Sequence, residues 1–143
     1  MPQNGLSVGR DQVLDVITST GPLRLGLLTN FKKKQDTTEQ RIKGKDGITR
    51  PLRFFDGWSG SFELQRQSNV VEDYFIQLEA NYYAGLSEGP ITITETITEP
   101  DGSVSQYRYV GVVLRLEDAG DWGGDASVKQ SISWMAQRCV KVA

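Results

Sequence analysis

The 143-residue chain contains no histidine and a single cysteine, Cys139. Without histidine there can be no Ser-His-Asp triad, Cys-His dyad, histidine-ligated metal, haem-His ligand or HExxH site. One cysteine excludes an internal disulfide, and Met1-Pro2-Gln3-Asn4-Gly5 has neither the basic start nor the apolar run of a signal peptide, so folding in a reducing cytoplasm is expected. Long apolar runs are also missing: no stretch approaches the roughly 18 residues of a spanning helix, and no membrane anchor is expected. Charge of one sign is not in excess either. Sixteen Lys and Arg against 18 Asp and Glu leave a net −2, which gives no global attraction to nucleic acid or an anionic membrane. With 38% hydrophobic residues the length suits one domain, 1–143, with its own core.

Fifteen glycines fall between short runs rich in Val, Ile, Thr, Tyr and Phe, the punctuation of an antiparallel sheet protein. A first run, Asp11 to Thr18, breaks at Ser19-Thr20-Gly21-Pro22, and Leu23, Leu25 and Leu27 then alternate as a half-buried strand. From Lys32 to Arg53 the composition turns polar around Asp46-Gly47, which predicts a type I′ hairpin with arms Thr37–Lys45 and Ile48–Phe55. It has little to bury, so it should project from the body and be either mobile or covered by a partner subunit. Trp58, Phe62 and Leu64 then alternate with Ser59, Ser61, Glu63 and Gln65, a strand wet on one side. A helix is predicted over about 69–85, capped by Asn69 with Glu72 completing a capping box, burying Val71, Tyr74, Phe75, Leu78, Tyr82 and Leu86, and stopped by Gly85.

After the helix, Ile91, Ile93 and Ile97 with Glu95 among them alternate with four threonines. Pro100-Asp101-Gly102-Ser103 turns the chain back into a long strand, Val104 to Leu116, in which Gly111 marks a bulge or bend. The loop Ala119–Ala126 carries Trp122, and a last strand, Ser127 to Val142, faces Val128, Ile132, Trp134, Ala136, Val140 and Val142 inward, with Arg138 as an exception. No repeat of 20–50 residues interrupts this order. The fold class expected is mainly β: an antiparallel sandwich or partial barrel with one flanking helix and a long projecting hairpin.

Nothing in this pattern builds an enzyme. Glu95 has no second positioned acid to work with, so it reads as a carboxylate at the end of the buried zone or facing a neighbouring chain. Asp118, Asp121 and Asp125 lie close together in a glycine-rich loop that matches no EF-hand, and Lys32-Lys33-Lys34 reads as a solvated turn or a salt-bridge patch for a neighbouring subunit. Gly57-Trp58-Ser59-Gly60 lacks the Lys-Ser of a P-loop, and Cys139 is a small packing residue. No cofactor and no metal are expected.

The strand Trp58 to Arg66, the helix after it, the closing Ile132-Ser133-Trp134-Met135-Ala136 and the polar Asp-Gly hairpin together resemble the tail tube proteins of contractile-tailed bacteriophages, related to the tube proteins of R-type bacteriocins and type VI secretion systems. That resemblance covers essentially the whole chain. It implies a virion structural protein assembled in the host bacterial cytoplasm, with hexameric rings that stack and an inner β-barrel around a channel for DNA or effectors. The partners it implies are further copies of the chain, the tail sheath, baseplate and tail terminator proteins, and DNA only in transit. On the residues, Thr92, Thr94, Thr96 and Thr98, with Ser131, Ser133 and Gln137, are candidates for the lumen surface. Thr37, Arg41, Lys43, Lys45, Asp46, Gly47 and Arg50 are candidates for an inter-subunit hairpin. Lys32, Lys33 and Lys34 against Asp118, Asp121 and Asp125 are candidates for a stacking contact of opposite charge. Rival readings are a monomeric ligand-binding β-barrel with Trp58, Tyr107, Tyr109 and Trp134 in its mouth, and another tail part such as a terminator or baseplate hub domain.

Overall fold

A computed structural model describes residues 4–23 and 27–142, so the predicted strand position Leu25 lies outside the described residues. Among these residues the fold is mainly β, with two antiparallel sheets, one α-helix, a single 3-10 turn at Gly9–Asp11 and no closed barrel. In order, the strands are β1 (Gln12–Thr18), β2 (Gly21–Leu23), β3 (Leu27–Lys43), β4 (Thr49–Gln65), then helix α1 (Val70–Tyr83), β5 (Thr92–Thr98), β6 (Val104–Val110), β7 (Val113–Asp118), β8 (Lys129–Ala136) and β9 (Arg138–Lys141). One sheet has the order β2-β1-β5-β6-β9 and the other β3-β4-β8-β7.

The alternation read from the sequence sets which side chains lie between the sheets. Ile93 and Glu95 of β5, Phe62 and Leu64 of β4, and Ile132, Trp134 and Ala136 of β8 are buried, as a period of two requires. Aromatic rings fill the centre: Trp134 stacks on Phe31 at 5.8 Å and meets Tyr109 edge-on at 4.9 Å, and Tyr109 meets Trp58 edge-on at 5.9 Å.

Three local predictions are corrected. The run Val104–Leu116 is not one strand but two, split at Gly111 and assigned to different sheets, and the run Ser127–Val142 splits in the same way at Gln137. These corners sit together: Gln137 donates its N–H to Val110 O, and a Cβ on Gly111 would lie 2.9 Å from the Gln137 side chain. Strands that change sheets at a bend are how a sandwich turns a corner. The change of sheet also flips inward and outward parity, so Arg138 and Val140 face out while Cys139 faces the core, and Arg138 is no exception.

Second, the hairpin turn is not type I′. Only Gly47 takes a positive φ (+81°), while Gly47 N–H bonds Gly44 O and Gly44 N–H bonds Ile48 O. This is the three-residue connection with a left-handed glycine, and Asp46 serves it by accepting the Ile48 N–H and pairing with Arg50.

Third, the helix lacks its predicted capping box. Asn69, at φ −89° and ψ 10°, lacks the extended backbone of an N-cap and makes no side-chain cap bond, and the Glu72 side chain is drawn into an ion pair with Arg66. The stop does hold: Leu86 N–H reaches Asn81 O and Gly85 N–H reaches Tyr82 O, the paired bonds of a Schellman end. Val71 is buried and Tyr74 and Phe75 pack on the core, but Tyr82 and Leu86 are exposed, so the apolar face of α1 runs past the sheet it starts on.

Candidate functional site

The longest feature is the ribbon of β3 and β4, each 17 residues. Strand β8 accompanies β4 only from Gln65 to Trp58, where Trp58 faces Ala136. Beyond that point Thr37–Lys43 and Thr49–Phe55 pair only with each other and project by about 20 Å at the usual rise per residue. One face of this projection carries Thr38, Gln40 and Ile42 opposite Phe54, Leu52 and Arg50. The other carries Thr37, Glu39, Arg41 and Lys43 opposite Phe55, Arg53, Pro51 and Thr49. Ile42, Leu52, Phe54 and Phe55 are all exposed, so the tip is less polar than its sequence reads.

The lysine run lies inside β3, not in a loop, and strand geometry divides it. Lys32 and Lys34 project from the outer face, while Lys33 turns in and places its Nζ 2.5 Å from Glu95 Oε1. Glu95 is fully buried (0% exposed) and also accepts from the Gln12 amide and from the Tyr109 hydroxyl at 3.4 Å. Lys33 Nζ lies 5.6 Å from the centre of the Tyr107 ring. This node joins β1, β3, β5 and β6 across the sandwich, so Lys33 is not available as a stacking contact. Burial, with the Glu95 carboxylate next to it, pushes the Tyr109 phenol far above its usual range, and burial also raises the Cys139 thiol. Both stay protonated near neutral pH, and neither is an activated nucleophile.

The predicted lumen residues do not share a surface. Thr92, Thr94, Thr96 and Thr98 lie on the outer side of the five-stranded sheet, in register with Val13, Asp15 and Ile17 of β1 and with Val104, Gln106 and Arg108 of β6, but Thr94, between Asp15 and Arg108, is buried at 8% exposure. Ser131 and Ser133 face out from the other sheet, on the opposite side of the molecule, in register with Glu63 and Ser61 of β4 and with Asp118 and Arg115 of β7. Gln137 is at the corner, on neither face. The two outer faces differ in chemistry: threonines mixed with exposed valines and Ile17 on one, serines mixed with charges on the other. On the second, Lys129 pairs with Glu63 at 3.0 Å, and Glu117 receives both Arg115 (3.3 Å) and the Ser133 hydroxyl (2.8 Å).

The acidic loop sits at the opposite end of the four-stranded sheet from the ribbon tip, because β7 enters it at Asp118 and β8 leaves it at Lys129, beside Gln65. A polar cluster that no sequence motif announces holds it in place. Arg66 pairs with Glu72 and lies 5.1 Å from the Trp122 ring centre, while buried Gln130 donates to Glu72 Oε1 (3.1 Å) and to Ala119 O (2.9 Å). The Arg66 guanidinium holds the Glu72 carboxyl below its ordinary range. Trp122 is 67% exposed, and Asp118, Asp121 and Asp125 form no ion pair among the described residues. No three acidic or cysteine side chains among the described residues converge as metal ligands. Tyr109 and Trp134, placed by the ligand-barrel reading at a mouth, are instead packed against each other in the core at 1% exposure.

This geometry is that of the tail tube fold. Over its whole length the chain is similar to a chain of the anti-feeding prophage cap, the tube-terminating cap (TM-score 0.62, 10% identity, covering 100% of this chain and 95% of that one). It is also similar to a chain of the sheath-tube complex of an extracellular contractile injection system, PVC (0.57, 13%, 91% and 88%), and to the SPP1 tail tube (0.55, 13%, 94% and 78%). No protein-family model matches the sequence, and no curated protein matches it. At such identities the likeness lies in the fold, and each similar structure belongs to an assembled tail or injection particle.

Proposed function

We propose that this chain is a non-enzymatic structural subunit of a tail or injection tube, which self-assembles into hexameric rings around a channel for DNA or protein cargo. The observation that carries the reading is the parity and edge length of the four-stranded sheet. Its edges, β3 and β7, run in opposite directions, so copies related by rotation about a ring axis bring β7 of one beside β3 of the next with the antiparallel alternation unbroken. The five-stranded sheet ends in β2 and β9, which run in the same direction and are three and four residues long, too short to join copies. Closing the four-stranded sheets into one ring also hides the long β3 edge, which a solitary chain leaves exposed.

In this arrangement the wet face bearing Ser59, Ser61, Ser131 and Ser133 lines the channel, where the hydroxyls alternate with the Lys129–Glu63 and Arg115–Glu117 pairs and with Lys32 and Lys34. The threonine face of β5 then looks outward, toward the sheath or other tail components, and Gln137 lies at the rim. The hairpin residues Arg41, Lys43, Lys45, Asp46, Gly47 and Arg50 reach a neighbouring subunit. Size-exclusion chromatography with light scattering, followed by negative-stain microscopy at rising concentration, tests the reading: rings and tubes support it, and a strict monomer refutes it. A second reading, a ring that caps a tube, is favoured by the likeness to the tube-terminating cap, whose TM-score of 0.62 exceeds the 0.57 and 0.55 of the tube structures; such a chain would give single rings and no tubes.

A further inference from the structure

Resting on the ring reading, we propose that Lys33 and Gln12 become joined by an isopeptide bond, with Glu95 carrying the protons, once a neighbouring copy covers the β3 edge. The three side chains come from three strands and both sheets, β3 on one side and β1 and β5 on the other. They meet on one carboxylate: Lys33 Nζ lies 2.5 Å from Glu95 Oε1, and the Gln12 amide donates to Glu95 Oε2. An amine, a carboxamide and a fully buried acid are what amide exchange needs, a nucleophile, an electrophile and a proton carrier held together before they react. Aromatic side chains line the inner side, with the Tyr109 hydroxyl 3.4 Å from Glu95 Oε1 and the Tyr107 ring centre 5.6 Å from Lys33 Nζ.

In the free chain the Lys33 side chain keeps 34% of its exposure, so water solvates the charged pair. Laying β7 of the next copy along β3 strips that water, and an ion pair without water relaxes to its neutral form when one proton moves from Lys33 Nζ to Glu95. The Gln12 amide then turns its carbonyl oxygen to accept the new Glu95 O–H, and Lys33 Nζ adds to Gln12 Cδ. The Nζ–Cδ bond forms and the Cδ–Nε2 bond breaks. The departing nitrogen takes one proton from Glu95 and one from Lys33 Nζ and leaves as ammonium, which returns Glu95 to a carboxylate and needs no oxidant. The cluster of Arg66, Glu72 and Gln130 supplies a contrast: a cation and an amide again share one carboxylate, but a guanidinium stands where the amine would be, and it is no nucleophile.

Intact-mass spectrometry on separated monomer and ring fractions of the full chain reads the bond directly. The monomer should keep the mass of its sequence, while the bulk of the ring-borne chain should be lighter by one ammonia and yield a proteolytic fragment joining Gln12 to Lys33. Gln12→Met, a change at a half-buried strand end, should form rings at full mass, and Glu95→Gln should do the same. Wild-type rings at full mass, an ammonia loss that persists in Gln12→Met rings, or a loss that maps to other residues would overturn the bond and leave the ring reading standing. A bond already complete in the monomer overturns the assembly trigger. A wild-type chain that never forms rings overturns both readings.

Discussion

Removing the two partners of the Lys33–Glu95 pair one at a time should give very unequal losses. Glu95 is completely enclosed, whereas the Lys33 side chain is 34% exposed. Lys33→Met leaves a buried carboxylate with only the Gln12 amide and the Tyr109 hydroxyl, and stranding a buried charge costs about 3–5 kcal/mol. Glu95→Gln strands a lysine that can rotate into water and keeps an oxygen for Lys33 or Tyr109. Its new amide faces the Gln12 amide as a second donor, for a loss of about 1–2 kcal/mol. Lys33→Met with Glu95→Leu removes the charges together and should return to within about 1–2 kcal/mol of wild type. Urea unfolding, followed by tryptophan fluorescence below the assembly concentration, measures this directly. With a slope of about 2 kcal/mol per molar, Lys33→Met lowers the midpoint by about 1.5–2.5 M and Glu95→Gln by less than about 1 M. Equal losses, or a larger loss in Glu95→Gln, would refute the argument.

Other outcomes follow from equally local features. Gly60→Ala would put a Cβ 2.0 Å from Lys32 O, so it should destabilise by about 3 kcal/mol, while Ser61→Ala next to it changes urea stability by less than about 0.5. Trp134→Ala opens the aromatic centre and should cost about 3–5 kcal/mol; Trp134→Phe should cost only about 1–2, because the indole N–H it removes is buried with no partner among the described residues. Glu72, Asp46 and Asp101 are held below their ordinary carboxyl range, chiefly by bonds from Arg66, Arg50 and Ser103 respectively. Their stabilisation is therefore complete above about pH 4.5 and lost as pH falls through the lower folded values, so Glu72→Gln should flatten acid unfolding monitored by circular dichroism. Deleting Gly44 to Ile48 should leave a folded monomer, by circular dichroism and light scattering, that no longer forms tubes.

Where burial decides one face of one strand, the sequence was enough. The alternation of Thr92–Thr98, the inward set Phe62, Leu64, Ile132, Trp134 and Ala136, and the helix over 70–83 are all legible because each depends on neighbours two or four residues away. The corners at Gly111 and Gln137 are not, since an alternating run reads the same whether its ends lie in one sheet or two. That is why the threonine and serine faces looked like one surface in the sequence and lie on opposite sides of the fold. The division of Lys32, Lys33 and Lys34 is within reach of the sequence, since in a strand period two alone turns the middle lysine inward. Glu72 looked like a helix cap because capping is a local pattern, whereas its actual partner, Arg66, is set by where β4 ends. The place of Arg53 opposite Glu39 depends on the cross-strand register, which the three-residue turn fixes and a two-residue turn would have shifted.

The paired corners have a mechanical consequence. Because β6 continues into β7 and β8 into β9 at one level, sliding one layer of the sandwich over the other must stretch two backbone segments, not merely shear side-chain contacts. Covalent chain is far stiffer than a packed interface. A load applied to one layer therefore passes to the other without slip, and the two sheets move as one rigid body.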